Sequence, residues 1–216
     1  AARPMTVPRF PAGFTLVELL IALVLMAGMA GILFGSLSLA ARSWDGGEAK
    51  VLQVSDMRSA QTYLRAQIAA QYPQRLWKAA ELPLLFAGAR DEMRYAAALP
   101  ARVAEGGVYY FRLAVVRSGE KSQLVQERAI PDLTAAQEPE FRDAERSVLA
   151  EDIAELAIGY FGRDANATSA DEPTWRDRWD DRQRLPLLVR IDVKPAKGLA
   201  WPTLVVVDPA GYIVAQ

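Results

Sequence analysis

Glu18 is the residue whose type and position most directly suggest chemistry, because it is the only charged side chain between Phe14 and Ala41. A carboxylate in hydrocarbon costs roughly 2.5–3.5 kcal/mol at mid-depth and less toward the interface. Such a group is tolerated when it meets a cation. Glu18 therefore either pairs with a positive group or lies at the membrane boundary and reaches water.

Enzyme chemistry has few candidate residues in this sequence. The chain contains no His and no Cys, which excludes thiol nucleophiles, disulfides, Ser-His-Asp triads and zinc sites built from Cys and His. Gly106 and Gly107 precede an expected strand rather than a helix, so they do not form a dinucleotide-binding loop. We expect no catalytic residue, no cofactor and no bound metal.

The balance of charge argues against a nucleic-acid partner. The 216 residues carry 25 basic and 26 acidic side chains, a formal net charge of −1. A nucleic-acid-binding domain normally shows a basic patch and a high isoelectric point. We therefore expect no nucleic-acid binding.

Residues 162–184 form the most polar stretch of the chain, and oxygen-rich clusters of this kind can hold calcium. EF-hand spacing is absent, and five arginines alternate with the acids, so we predict a solvated or self-paired loop. Calcium binding remains the alternative interpretation. The acidic residues concentrated here are Asp164, Asp171, Glu172, Asp177, Asp180 and Asp181.

The apolar run from Phe14 to Ala41 is long enough to cross a bilayer as a helix. A buried core helix and a cleavable secretory signal are the alternatives, but a core helix needs a polar face and a signal has a shorter apolar region. Arg3 and Arg9 precede the run without any acid, so the positive-inside rule places the N-terminus in the cytoplasm. Trp44 lies where an aromatic residue of the outer interface is expected.

The residues around Glu18 form a recognisable motif. The string Gly13-Phe14-Thr15-Leu16-Val17-Glu18-Leu19-Leu20 follows a short basic leader and opens the apolar run. It resembles the type IV pilin-like (prepilin) family. The resemblance implies that a prepilin peptidase cuts after Gly13 on the cytoplasmic side and N-methylates Phe14. It also implies that Glu18 pairs with the terminal amine of a neighbouring subunit during assembly. We expect translation to begin at Met5.

The absence of Pro between Pro11 and Pro73 predicts one long helix from Phe14 to about Ala70. Gly31 and Gly35 form a small-xxx-small pair that either admits a neighbouring helix or permits bending. The second half of the helix carries an apolar stripe, interrupted by Gln61, that we expect to pack on a globular head. The stripe consists of Val51, Val54, Met57, Leu64 and Ile68.

Past Tyr72 the apolar period changes to two, which predicts short antiparallel strands. Four segments alternate most clearly, and Asp208-Pro209-Ala210-Gly211 reads as the turn of a C-terminal hairpin between 205–207 and 212–214. The predicted class is α+β, with a long N-terminal helix, transmembrane then periplasmic, packed on an antiparallel sheet. The resemblance to the prepilin family implies a pseudopilin fold. The alternating segments are 93–99, 109–115, 156–160 and 187–193.

The expected organisation is a leader (1–13), a transmembrane half-helix (14–41), a periplasmic half-helix (42–71) and a β-rich head (72–216). The protein is then a single-pass protein of the bacterial inner membrane with a periplasmic head.

Several loose motifs outside residues 13–20 resemble the J-type minor pseudopilins of the type II secretion system. That resemblance implies a complex with I-type and K-type minor pseudopilins and other pseudopilus subunits, at the tip of a pseudopilus that assists export of folded proteins. The alternatives are a minor type IV pilin that primes pilus assembly, and a signal-anchored periplasmic enzyme or binding protein. The motifs are residues 42–49, 175–179, 185–193 and 201–202.

Overall fold

The structure, a computed structural model, describes residues 15–99, 106–119, 121–132, 134–163 and 171–214. The chain divides into two compact units, residues 1–52 and 53–216. The described residues form two helices and nine strands. In chain order these are α1 (Leu16–Ala69), β1 (Phe86–Gly88), β2 (Glu92–Leu99), β3 (Gly107–Ser118), β4 (Lys121–Ala129), β5 (Glu145–Glu151), β6 (Ile153–Gly162), β7 (Thr174–Arg176), β8 (Leu188–Pro195), β9 (Leu204–Val207) and α2 (Pro209–Val214).

The first sheet contains five strands in the order β1-β2-β3-β4-β5, each antiparallel to its neighbour. Strands adjacent in the chain are therefore adjacent in space, as short connections favour. Gly119 has a φ of 64° in the turn that joins β3 to β4, where Ser118 pairs with Lys121. A left-handed residue in such a tight turn is readily supplied by glycine.

The second sheet contains four antiparallel strands in the order β7-β6-β8-β9. The chain passes from the first sheet to the second between β5 and β6, where Asp152 adopts a φ of 54°. The carbonyl of Asp152 accepts a hydrogen bond of 2.6 Å from the N–H of Ala196. This bond ties the crossing point to the end of β8.

One apolar core joins both sheets to the C-terminal part of α1. Leu64 and Ile68 of α1 are fully buried in it, with Phe111 from the first sheet and Ile158 and Ile191 from the second. Burying a Leu or Ile side chain contributes about 1.5–3 kcal/mol. The unit that begins at Gln53 therefore includes the last turns of α1 as part of its core.

A second, smaller cluster lies on the other face of the first sheet. Ala96 and Tyr110 point there because side chains alternate between the two faces of a strand. They pack with Leu76 and Leu85, and the ring of Phe141 stacks on Tyr110 at a centroid distance of 5.3 Å. Both faces of the first sheet are thus partly covered.

The predicted α+β class is confirmed, and the four alternating segments correspond to β2, β3, β6 and β8, although Leu187 precedes β8. The prediction of a C-terminal hairpin is wrong. Residues 209–214 form α2 instead, because Asp208 accepts the N–H of Ala210 at 3.0 Å and so caps a helix. Pro209 at the first helical position has a fixed φ that suits a helix start.

The prediction that the apolar stripe of α1 packs on the head is only partly correct. Leu64 and Ile68 are buried and Val54 and Met57 are half-buried, but Val51 is 68% exposed. Gln61 does not interrupt the packed face, because its side-chain N–H donates to the carbonyl of Pro202 at 2.6 Å. The packed face of α1 therefore begins beyond Val51 and uses polar as well as apolar contacts.

Candidate functional site

Glu18 lies in the first turn of α1, next to the residue that caps the helix. Thr15 accepts the backbone N–H of Glu18 twice, through its carbonyl at 3.1 Å and its Oγ1 at 3.3 Å. A Thr followed three residues later by Glu is the sequence pattern of a capping box. Thr15 and Glu18 have the required spacing in the sequence, but the capping box was not among the predicted features. An acid here also interacts favourably with the helix dipole.

The stretch from Leu16 to Ser38 is long and apolar enough to cross a membrane. It spans 23 residues with a mean hydropathy of 2.5, and none of it is buried within the chain. A buried core helix, one alternative considered above, would instead be covered by other elements. The exposed apolar side chains of this stretch therefore need lipid or other helices around them.

The small residues of this helix face open space within the described chain. A Cβ added at Gly31 or at Gly35 meets no atom within 4 Å. The hydroxyl of Ser36 donates to the carbonyl of Ile32 at 2.7 Å, which satisfies that hydroxyl within its own helix. Among the described residues, the surface at Gly31 and Gly35 is therefore uncovered. The predicted processing residues Gly13 and Phe14 lie outside the described residues.

Side chains of α1 hold the C-terminal part of the head by donating to its backbone. Besides Gln61, Arg65 donates from Nη1 to the carbonyl of Val205 at 3.1 Å. Val205 lies on β9, an edge strand whose outer carbonyls lack a neighbouring strand. Arg65 thus takes the place of a pairing partner, which protects an exposed edge.

A polar contact also crosses the core between α1 and the first sheet. The Tyr63 hydroxyl donates to Oε1 of Gln126, and Nε2 of Gln126 donates to the Tyr95 hydroxyl at 2.7 Å. Burial raises the pKa of Tyr95, which keeps the phenol neutral. Such a satisfied network fixes which face of α1 meets the sheet, because misalignment would leave buried polar groups unpaired.

Three acids of the described part of the polar stretch, Asp177, Asp180 and Asp181, pair with arginines. Asp181 is buried and accepts Nε of Arg184 at 2.8 Å, while Arg178 donates to Asp180 at 2.7 Å. Among the described residues, no group of three or more acidic residues is placed to hold a metal ion. These pairs support the self-paired interpretation, and Asp164 lies outside the described residues.

Comparison with known proteins identifies the family. The Prokaryotic N-terminal methylation motif matches residues 9–34. The chain is 33% identical over 201 residues to the type II secretion system protein J of Xanthomonas campestris pv. campestris, covering 92% of this chain and 93% of that protein. The chain belongs to the type II secretion system protein J family. The resemblance to J-type pseudopilins is thereby confirmed, and the helix followed by antiparallel sheets agrees with a pseudopilin fold.

Membership of this family agrees with a membrane-anchoring role for the N-terminal helix. The methylation motif covers the residues before α1 and the apolar stretch that follows them. A pseudopilin whose apolar stretch is exposed fits single-pass anchoring in a membrane. The first turn, with Thr15 and Glu18, lies inside the methylation motif, at the N-terminal end of the apolar stretch.

Proposed function

We propose that this J-type pseudopilin is a structural subunit of the type II secretion system. It works in the tip complex of the pseudopilus and assists export of folded proteins across the outer membrane. The observation that carries the proposal is the 33% identity, because it extends over 92% of the chain and so includes the head as well as the helix. A tether carrying an unrelated periplasmic enzyme would share only the N-terminal segment, and the proposed work is assembly rather than catalysis.

The proposed topology places the N-terminus in the cytoplasm and the head in the periplasm, with residues 14–41 in the inner membrane. Residues 1–13 are then the leader, 42–71 the periplasmic half-helix and 72–216 the head. The basic leader supports this orientation. The proposed partners are I-type and K-type minor pseudopilins and other pseudopilus subunits, whose helices would approach the open surface at Gly31 and Gly35.

The proposed processing step is cleavage after Gly13 by a prepilin peptidase, followed by N-methylation of Phe14. The methylation motif spans both residues, which supports this assignment. Mass spectrometry of the protein extracted from membranes of a host that carries the peptidase should find N-methylphenylalanine at position 14. An intact leader in that host would contradict the proposal.

The proposed assembly role of Glu18 is a charge pair with the free terminal amine of a neighbouring subunit. The capping-box spacing of Thr15 and Glu18 offers a purely local explanation, in which the Glu18 side chain would accept the backbone N–H of Thr15. Glu18→Gln separates the two, because it removes the charge and keeps a side chain of the same shape that still accepts a hydrogen bond. Thr15→Ala is the matched control, since it removes only the capping oxygen.

Secretion of an exoprotein and copurification with other pseudopilus subunits are the measurements. The charge pair predicts that Glu18→Gln and Glu18→Ala impair both, while Thr15→Ala has a much smaller effect. If Glu18→Gln behaves as wild type and Thr15→Ala is defective, Glu18 acts in helix capping and the assembly role is refuted.

A further inference from the structure

A row of charged side chains crosses the outer face of the first sheet. Arg94 on β2 pairs in register with Arg112 on β3, Arg112 with Glu127 on β4, and Glu127 with Arg146 on β5. Residues in direct register point to the same face of a sheet. The sequence does not reveal this row, because its members are far apart in the chain.

These side chains belong to a longer chain of contacts in which four arginines alternate with three glutamates. Each glutamate is shared between two arginines, and both ends of the chain are arginines. In order of contact they are Arg182, Glu138, Arg94 (3.9 Å from Glu138), Glu92 (2.7 Å), Arg112 (2.6 Å), Glu127 (2.8 Å) and Arg146 (2.6 Å). This series of seven side chains therefore carries one more positive than negative charge.

Two of these glutamates, Glu92 and Glu127, have a pKa below the ordinary value for a glutamate. Burial raises the pKa of Glu127, but hydrogen bonds from Arg112 and Arg146 outweigh it and hold the pKa below its ordinary value. The pKa of Glu92 is likewise lowered, because the hydrogen bonds and charges of Arg112 and Arg94 outweigh burial. The arginine contacts therefore favour the charged form of Glu92 and Glu127.

The row borders a cleft of about 440 Å³ between the sheet and the segment 134–144, here called the strap. Arg94, Arg112 and Arg146 line the sheet side of the cleft. The strap side includes Glu140, which pairs with its neighbour Arg142 at 2.8 Å. The cleft therefore contains arginines that are partly exposed rather than sealed.

The strap itself shows how a carboxylate docks on these arginines. Glu138 comes from a segment outside the sheet and contacts Arg94 and Arg182. The Tyr110 hydroxyl donates to the same carboxylate at 3.0 Å, and Phe141 stacks on the Tyr110 ring. Arg146, at the other end of this series, forms ion-pair and hydrogen-bond contacts with Glu127, and its side chain is 52% exposed.

We propose that this cleft binds an acidic segment of a protein partner, with a carboxylate of that segment contacting Arg146 and the neighbouring Arg112. A guanidinium matches a carboxylate in shape and bonds it through two parallel hydrogen bonds. The charge surplus of one fits a carboxylate better than a phosphate, which carries about −1.5 to −2. This binding site is additional to the proposed place in the pseudopilus and does not depend on it.

The experiment titrates the full-length protein in a neutral detergent with three probes and measures binding by calorimetry. The probes are a tetraglutamate peptide blocked at both ends, the matching tetraglutamine peptide, and inorganic phosphate. Tetraglutamate should bind, should weaken with added salt and should exceed both other probes. Arg146→Gln should weaken it about threefold to tenfold, the range expected for one charge-assisted contact.

Arg117→Gln is the matched control, because Arg117 is an exposed arginine on β3 whose position in the strand faces away from Arg112. It should leave tetraglutamate binding unchanged. Arg94→Gln provides a second variant in the cleft, and circular dichroism of each variant checks that the sheet is intact. The proposal is overturned if tetraglutamate does not bind, if tetraglutamine or phosphate binds equally well, or if Arg117→Gln weakens binding as much as Arg146→Gln.

Discussion

Asp208 provides a test of the head structure that does not depend on secretion. Its side chain is fully buried between β9 and α2, and Oδ1 accepts the N–H of Ala210 at 3.0 Å. Oδ2 is buried and has no hydrogen-bond partner among the described residues. Burial raises the pKa of Asp208 from 3.8 to about 7, against the opposing effect of the N–H groups of Ala210 and Gly211.

The raised pKa of Asp208 determines whether the free energy of unfolding rises or falls with pH. Since the pKa is higher in the folded than in the unfolded state, the folded state binds the proton more tightly. The stabilisation that Asp208 gains by binding a proton in the folded state is fully present below pH 3.8. It is lost as the pH rises through about 7. At about 1.4 kcal/mol per pH unit, the total loss is about 4 kcal/mol, of which about 2 kcal/mol falls between pH 5 and pH 7.

The perturbation is Asp208→Asn, which removes the titration and keeps an oxygen that can cap α2. Urea denaturation of the full-length protein in detergent, followed by circular dichroism, measures the free energy of unfolding at several pH values. The variant should be more stable than wild type at pH 8, and its advantage should shrink toward pH 5. Asp143→Asn, at an exposed carboxylate of the strap, is the control and should change stability little.

The difference between wild type and Asp208→Asn is the decisive quantity, because other carboxylates affect both proteins equally. Glu92 and Glu127, for example, lose their arginine pairs only at acidic pH. A difference that stays constant from pH 5 to pH 8 would refute the reasoning, since it would mean that Asp208 titrates alike in the folded and unfolded states.

Two further predictions concern packing in the head. Gly88→Ala should destabilise the head by about 1–3 kcal/mol. The reason is that the new Cβ would lie 2.5 Å from Cζ of the buried Tyr160 ring. An unchanged melting temperature would contradict this prediction and show that β1 can shift. Leu64→Ala should cost about 2–5 kcal/mol because it leaves a cavity in the core. Leu52→Ala, at a 58% exposed leucine of the same helix, should change stability by less than about 0.5 kcal/mol, and similar losses for both would contradict the assigned packing face.

The sequence was sufficient to predict the elements whose hydrophobic pattern repeats over a few residues. The apolar run of α1 and the alternation in β2, β3, β6 and β8 are readable because each pattern repeats within a few residues. The β4 strand escaped prediction because it buries Gln126 and Glu127, so its polar residues hide the apolar alternation. Their burial is explained only by partners that lie far away in the chain.

The C-terminus shows how a local signal can be read in two ways. Asp208 followed by Pro209 is compatible with a turn and equally with a helix cap. The structure forms the cap, with Ala210 buried in the main core and Gly211 close to the backbone of Pro186. Local chemistry permitted both outcomes, and packing against the second sheet selected one.

The sequence by itself determined that this protein has a lipid-compatible helix, a processing motif and an antiparallel head, because hydrophobic period and short motifs are local properties. Only the tertiary structure decided which face of α1 the head covers and which charges meet on the first sheet. The contacts of Arg112 with Glu92 and Glu127 depend on strand register, and the isolation of Asp208 depends on burial. Both are set by residues distant in sequence, whose pairing no local pattern encodes.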